Sequence, residues 1–343
     1  MRVTILGAGS WGTALAIQAV RAGGQVTLWD HQAARAAEMQ ASRENRRYLP
    51  GLQLPEGLVV EGDLSRALDG VDIALFAIPS QSMRGVLEAA APHLPAGAQL
   101  GCASKGIEEG SLLTMAEVFE DVFGAERVAD GCFLAGPSFA REVAEDQPTV
   151  VVVAGRNAAA ADRFAGAFHG GRFRVYHTDD IVGAELGGAL KNPLAIACGA
   201  ADGMGFGLNA RAAIITRGLA EISRLAVFLG ANPLTLAGLA GVGDVVLTCT
   251  GDLSRNRRVG IGLGQGKSLP QVLGELGQVA EGVITARSGL MLARKHGVEV
   301  PIIEQIYLVL HEGKSVDAAL RDLLGRQRRA ERDALTAAAL TTK

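Results

Sequence analysis

The stretch RVTILGAGSWGTALA at 2–16 constrains the fold more than any other part of the chain. A β-rich apolar run, RVTILG, breaks at Gly7, Gly9 and Gly12 and then continues as an alanine-rich helical pattern. Glycines in GxGxxG spacing between a strand and a helix form the turn at which a parallel sheet takes up a dinucleotide. Gly7 permits the tight turn, Gly9 lets the backbone approach a pyrophosphate, and Gly12 allows close helix–strand packing. The amides opening the helix then hold the phosphates. In a chain with 45 glycines the spacing alone is weak. Its context gives it weight: a strand before, a helix after, and a second strand, QVTLWD at 25–30, ending on Asp30. Asp30 stands where an acid accepts from an adenosine ribose 2′-hydroxyl and repels a 2′-phosphate, which leans toward NAD. His31 and Arg35 follow, and either could meet a phosphate, so NADP stays open.

The first half continues in the same alternation. Further β-rich runs lie at 58–62, 72–78, 98–104, 132–136, 149–155 and 172–178, separated by helical patterns. Those at 72–78 and 149–155 are apolar without alternation, as strands covered on both faces are. Strand–helix–strand order predicts a parallel α/β sheet. Beyond about residue 180 helical patterns dominate, at 181–201, 209–229, 281–296, 301–312 and 315–325. The expected architecture is an α/β N-terminal Rossmann-like dinucleotide-binding domain, residues 1–180, plus an all-α C-terminal domain, residues 181–343, with no internal repeat. The alanine-rich patterns at 209–229 and 281–296 suit either the core or a homodimer surface.

With 343 residues, 48% hydrophobic and 20% charged, the composition is that of a globular protein of about two domains. The net charge of −3 gives no reason to expect nucleic-acid or anionic-membrane binding. The segment RQRRAERD at 326–333 reads as a solvated helix face. No apolar run looks like a membrane span, and the chain opens directly on its first strand, which predicts a cytoplasmic protein without membrane insertion. Cys102, Cys132, Cys198 and Cys249 lie among apolar or small residues without CxxC spacing. They read as reduced core thiols, with no metal site expected.

The run GAELGGALKNPLAIACG at 183–199 poses a problem of charge. On a helix the neighbours of Lys191 are Gly187, Gly188, Leu194 and Ala195, so no carboxylate stands where an ion-pair partner belongs. Pro193 withholds a donor from the Ala189 carbonyl and is expected to open the helix locally. One reading is a lysine that snorkels to solvent. The other is a functional lysine, with small neighbours that admit ligands and an unpaired amine whose proton affinity is adjustable.

Three further stretches combine polar groups with glycine. In CASKGIEEG, Lys105 follows a strand at the end where α/β ligands bind; the alternative is a loop lysine facing water. In LAGPSFAREV, Ser138 after Gly136 caps the next helix or offers its hydroxyl to a ligand, the cap being favoured locally. In GLAGVGDVVLTCTGDLSRNRRVG, Asp244 sits between a glycine turn and an apolar run, and Ser254, Arg255 and Asn256 open a helix. Amides, hydroxyl and guanidinium there converge as they would on an anion. A small phosphorylated ligand suits this better than nucleic acid; a solvated arginine cluster is the alternative.

GAGSWGTALA, SKGIE, AGPSFA, ALKNPLAIACG, NARAAIITRGLAEI, GVGDVVLTCTGDLSRNRRVG and EGVITA occur in that order across roughly residues 2–325. Together they closely resemble the bacterial NAD(P)-dependent glycerol-3-phosphate dehydrogenase family. LSRNRRVG and LKNPLAI are the most specific of these. The resemblance implies reversible hydride transfer between NAD(P)H and C2 of dihydroxyacetone phosphate, giving sn-glycerol 3-phosphate for glycerophospholipid synthesis. It implies Lys191 as catalytic acid/base. Substrate positions are Lys105, Gly136, Ser138, Lys191, Asp244, Ser254, Arg255 and Asn256. Cofactor positions, beside Gly7, Gly9, Gly12 and Asp30, are Ser10, Trp11, His31, Lys105, Ala140, Arg255, Val279 and Glu281. Two departures stand out: WDHQ at 29–32 is less basic than in many relatives, and Ala280 interrupts a usually more aliphatic run beside Val279.

Ketone reduction needs a hydride donor, a proton donor and a polarised carbonyl. No histidine stands in the substrate motifs, so a lysine must serve, with its pKa lowered by apolar burial and by a second cation, for which Lys105 is the candidate. The nearest alternative is a 3-hydroxyacid or 6-phosphogluconate-type dehydrogenase. A non-catalytic nicotinamide sensor is another, but it would have no use for Lys191.

Overall fold

The computed structural model describes residues 1–327 and divides into two units, Met1–Ser104 with Met115–Ile181, and Lys105–Thr114 with the chain from Val182 onward. Residues 328–333 of the basic segment lie outside the described residues. Arg326 and Gln327, which begin it, are not helical.

The first unit is built on an eight-stranded sheet: β1 (Arg2–Leu6), β2 (Gln25–Trp29), β3 (Leu58–Glu61), β4 (Ile73–Phe76), β5 (Gln99–Cys102), β6 (Cys132–Ala135), β7 (Thr149–Ala154) and β8 (Phe173–Thr178). Their order is β3-β2-β1-β4-β5-β6-β7-β8. All four residues of β4 and nearly all of β7 are buried, as unalternating apolar runs require. β1 to β6 are parallel, with Val3 beside Val26 on one side and Ile73 on the other. β7 pairs antiparallel with β6, and β8 parallel with β7, so the expected parallel sheet carries one antiparallel pairing at this edge. The β6–β7 connection holds only the five-residue helix Ala140–Ala144, too short to carry the chain back along the sheet. That helix is pinned by Arg21, whose guanidinium donates to the carbonyls of Val143 and Ala144 at 2.8 and 2.5 Å.

The strand order reverses between β1 and β4. The glycine loop leaves β1 at this switch point, where open α/β sheets bind ligands. The helix Ser10–Arg21 buries Ala14, Leu15, Ala16 and Ala19 against the sheet.

The second unit is helical among its described residues. The Ile181–Gly203 helix runs 23 residues straight through Pro193, and Leu186, Leu190, Leu194 and Cys198 on it are all but inaccessible. Leu208–Phe228, Glu281–Lys295, Pro301–His311 and Val316–Leu324 form the other long elements. Shorter helices, Pro233–Ala237, Asp244–Thr250, Arg255–Gly264 and Leu269–Leu276, and a π-turn at Leu239–Gly243 fill the stretch between. Of the two alanine-rich helices, Glu281–Lys295 buries Ala286, Leu290, Leu292 and Ala293 inside the unit. Leu208–Phe228 buries Ile222 and Leu225 but leaves Ala212 and Ala213 exposed.

Residues 105–114 depart from a division at residue 180. They follow β5 in sequence, yet Ile107 is fully buried in the helical core with Leu190, Leu194 and Val245. An antiparallel bridge between Ile107 and Thr114 closes the loop. This excursion brings Lys105 into the helical unit. All four cysteines are buried free thiols. Among the described residues no helix is long and apolar enough to cross a membrane.

Candidate active site

The glycine loop of the first unit has the shape that a dinucleotide needs. Gly7 holds φ at +113°, and a Cβ there would lie 2.5 Å from the Ala77 carbonyl oxygen at the end of β4. A Cβ at Gly12 would lie 1.9 Å from the Gly7 carbonyl oxygen, so the turn closes only with both residues as glycine. Around Gly9 nothing lies within 4 Å of the added position, which leaves room for a ligand against the backbone. Gly9 is the N-cap of the Ser10–Arg21 helix and has no side-chain cap. The first-turn amides of Ser10, Trp11 and Gly12 therefore face outward without helical acceptors. The Trp11 indole N–H is buried with no partner. An open glycine, uncapped amides and an orphaned donor together fit the pyrophosphate of a nicotinamide dinucleotide.

A second segment frames this loop. Asn45, all but inaccessible, donates to the Ala8 carbonyl at 2.9 Å and the Thr13 hydroxyl at 2.8 Å and accepts from the Tyr48 amide. The Ser10 hydroxyl donates to the Tyr48 carbonyl at 2.7 Å. Sequence reasoning overlooked Asn45; only its place three residues before Tyr48 in a polar loop marks it. Beyond β2, His31 is exposed and Asp30 is buried. Ala140 opens its short helix and, like Trp11, is partly buried against the core of this unit. Ser138 does not cap that helix: Phe139 is the N-cap, and the Ser138 hydroxyl donates to the Gly136 carbonyl at 3.1 Å, which corrects the cap expectation.

In the second unit the polar residues meet on one carboxylate. Asp244 opens the Asp244–Thr250 helix and is completely inaccessible. The Lys105 ammonium donates to its Oδ2 at 2.6 Å, and the Lys191 ammonium to its Oδ1. Lys191 also donates to the Thr248 hydroxyl at 2.9 Å, which in turn donates to the Asp244 carbonyl at 2.7 Å. Thr248 was not singled out from the sequence. It lies one helical turn after Asp244, the only signal that could have found it.

Two expectations about Lys191 are thereby corrected. It does have an ion-pair partner, but one 53 residues away rather than on its own helix. Its glycine neighbours admit protein: a Cβ at Gly187 would lie 2.4 Å from the Ala240 carbonyl oxygen, and one at Gly188 would touch the Lys105 stem at 3.5 Å. Nor does Pro193 interrupt the helix. The snorkelling alternative fails, because Lys191 is 7% exposed. Burial lowers its pKa to about 8; Asp244 opposes the shift and Lys105 assists it.

The Ser254–Asn256 segment opens the Arg255–Gly264 helix. Ser254 is its N-cap and accepts from the Arg257 amide at 3.2 Å. Asn256 donates to Asn192 Oδ1 at 2.9 Å and accepts from the Gly282 amide at 3.0 Å. It thus joins the residue after Lys191 to the residue after Glu281. Arg257 is not part of a solvated cluster. It is buried against Asp202 and bonded to Asp252, whereas Arg255 reaches solvent at the helix start. Val279 is 49% exposed in the turn before the Glu281–Lys295 helix.

Comparison with known proteins identifies the family. The model of the NAD-dependent glycerol-3-phosphate dehydrogenase N-terminus matches residues 2–161, and that of the C-terminus residues 180–321. A glycerol-3-phosphate dehydrogenase [NAD(P)+] of Anaeromyxobacter sp. (strain K) is 52% identical over 331 residues, 96% of this chain and 100% of that protein. Its counterpart in Geobacter sp. (strain M21) is 50% identical over 96% of this chain and 98% of that protein. The crystal structure of glycerol-3-phosphate dehydrogenase from Coxiella burnetii superposes with a TM-score of 0.90 at 41% identity, covering 95% of this chain and 99% of that one. Two family models that together match nearly the whole chain, and relatives about half identical to it over almost their full length, show that the chain belongs to the NAD-dependent glycerol-3-phosphate dehydrogenase family.

Proposed function

We propose that this chain reduces dihydroxyacetone phosphate reversibly to sn-glycerol 3-phosphate with NAD(P)H, and that Lys191 exchanges the proton. Family membership supports the reaction. The observation that carries the lysine assignment is a buried ammonium with its pKa brought to about 8, held on a carboxylate that a second ammonium shares. Such a group is an acid at neutral pH and a base just above it.

The bound nicotinamide supplies the hydride that C2 of the ketone receives. The other requirements fall to side chains. Lys191 gives a proton to the developing alkoxide during reduction and takes the 2-hydroxyl proton during oxidation. Asp244 and Thr248 fix the direction of its N–H groups, and Lys105 holds Asp244 and keeps the Lys191 proton labile. Arg255, with the amides at the start of its helix, holds the substrate phosphate, and this remote anchor helps fix the carbonyl for reaction. Within the first unit Gly136 and Ser138 would serve the substrate and Ala140 the cofactor; within the second, Ser254 and Asn256 would serve the substrate and Val279 and Glu281 the cofactor. The product would feed glycerophospholipid synthesis in the cytoplasm.

The assignment is tested by following NADH and NADPH oxidation with dihydroxyacetone phosphate and with small keto acids. Turnover of the triose phosphate well above that of the acids is expected. Preference for a keto acid would return the chain to the hydroxyacid dehydrogenase reading.

A further inference from the structure

Asp30, at the end of β2, is the residue that a ribose 2′-hydroxyl would seek, but in this fold it is already taken. Its side chain has no accessible surface. Oδ2 accepts from Arg35 Nε at 2.7 Å; Oδ1 accepts from Arg35 Nη2 at 2.6 Å and from the Gln32 amide at 2.8 Å. The Arg35 pair is bidentate, the strong form of a charge-assisted contact. A ribose hydroxyl would have to displace it, and the carboxylate charge no longer acts alone on a neighbouring phosphate.

The charge outside Asp30 is positive. Arg35 is in the first turn of the Ala33–Ser42 helix, and its third contact is to the Gln32 side chain at 3.1 Å. One N–H on each terminal nitrogen is left for a further acceptor. The guanidinium carbon lies 5.4 Å from the centre of the Tyr48 ring, and that of Arg47 lies 5.3 Å from the same ring. The Tyr48 backbone is tied to the glycine loop: its carbonyl accepts from the Ser10 hydroxyl, and its amide donates to Asn45, which itself donates to the Ala8 carbonyl. His31, adjacent to Asp30, is exposed on the same loop.

We infer that Arg35 is the cofactor-specificity residue of this chain: by occupying Asp30 while keeping N–H donors for a further acceptor, with the exposed Arg47 beside the same Tyr48 ring, it turns the adenosine site toward the 2′-phosphate of NADP(H). Asp30 then anchors the arginine rather than reading the ribose, which reverses the lean that its position in the sequence suggests. The inference rests on the dinucleotide reading of the glycine loop and is independent of the substrate.

The test is binding without substrate. The purified full-length protein is titrated with NADPH and with NADH, following nucleotide fluorescence, at two ionic strengths. NADPH should bind roughly tenfold or more tightly than NADH, and the advantage should shrink as salt rises. Arg35→Ala should weaken NADPH roughly tenfold or more and leave NADH unchanged or tighter, because Asp30 is released to the ribose. Should that variant fail to fold, as judged by circular dichroism, Arg47→Ala on the exposed side of the ring should still weaken NADPH more than NADH. NADH binding as tightly as NADPH to the unaltered protein, or variants that weaken both equally, would overturn the assignment. Failure of both nucleotides to bind would overturn it together with the reading of the glycine loop, whereas failure to reduce dihydroxyacetone phosphate would bear on the substrate alone.

Discussion

Lys105 and Lys191 bind opposite oxygens of one carboxylate, that of Asp244, in a site with no access to water at the acid. Two cations on one anion leave a net positive charge under low dielectric, and the more buried lysine relieves it by giving up a proton more easily.

That relationship sets a pH dependence with opposite signs for the two directions. Reduction needs Lys191 protonated, so kcat for dihydroxyacetone phosphate should fall as pH rises through about 8. Oxidation of glycerol 3-phosphate needs the neutral amine, so its kcat should rise through the same range. Parallel initial-rate profiles check this. Two profiles that move in the same direction would remove Lys191 as the shared acid and base.

Removing the second cation should shift that transition. In Lys105→Met, Asp244 faces Lys191 alone, so the ammonium is better stabilised and the inflection of the reduction profile should move to higher pH. Turnover should fall roughly tenfold or more because the carboxylate loses one of its anchors. An inflection left in place, despite a measurable loss of rate, would show that Lys105 does not act on Lys191.

Arg255 is solvent-accessible at the helix start, beside the buried cap Ser254. Arg255→Ala should raise KM for the phosphorylated substrate about tenfold or more, the scale of one charge-assisted contact, with little change in thermal stability. Unchanged KM for substrate and cofactor would dismiss the phosphate assignment.

Glu221 offers a stability test away from the chemistry. It is 3% exposed and accepts from the amides of Ile302 and Ile303, and burial pushes its pKa up to about 7. The folded state thus holds this proton more tightly than the unfolded chain, where the value is 4.5. Stability should be greatest below the unfolded value and decline as pH rises toward 7, by up to about 3 kcal/mol. Glu221→Gln keeps an acceptor for the amides and removes the charge, so its melting temperature should exceed that of the unaltered protein at pH 8 but not at pH 4.5. Denaturation scans at the two pH values decide it.

Much of this was legible in the chain. Each strand was visible as a β-rich run between turns, and the long helices as periodic patterns, because local propensity and the fold agree there. The antiparallel edge was not, since strand direction there follows from a β6–β7 connection whose only helix is the five-residue Ala140–Ala144, which the sequence pattern does not show. The short helices between 233 and 276 were largely hidden by their glycines, although Ser254 did mark the start of one. The site residues were legible as motifs, but their relations were not. A search along one helix leaves Lys191 unpaired, because its carboxylate is on another helix and its companion lysine arrives on the 105–114 excursion. Asp30 was legible as a position, while its occupation by Arg35 depended on side-chain geometry that a five-residue spacing only permits.

The most direct test of the account is turnover by Lys191→Ala with dihydroxyacetone phosphate and saturating NAD(P)H, alongside nucleotide titration of the same protein. Asp244 keeps Lys105 in this variant, so the carboxylate is not left unpaired and the fold should survive. The expected result is a loss of kcat of about 10²- to 10⁴-fold with nucleotide affinity unchanged. A kcat within a few-fold of the unaltered protein would contradict Lys191 as the proton donor.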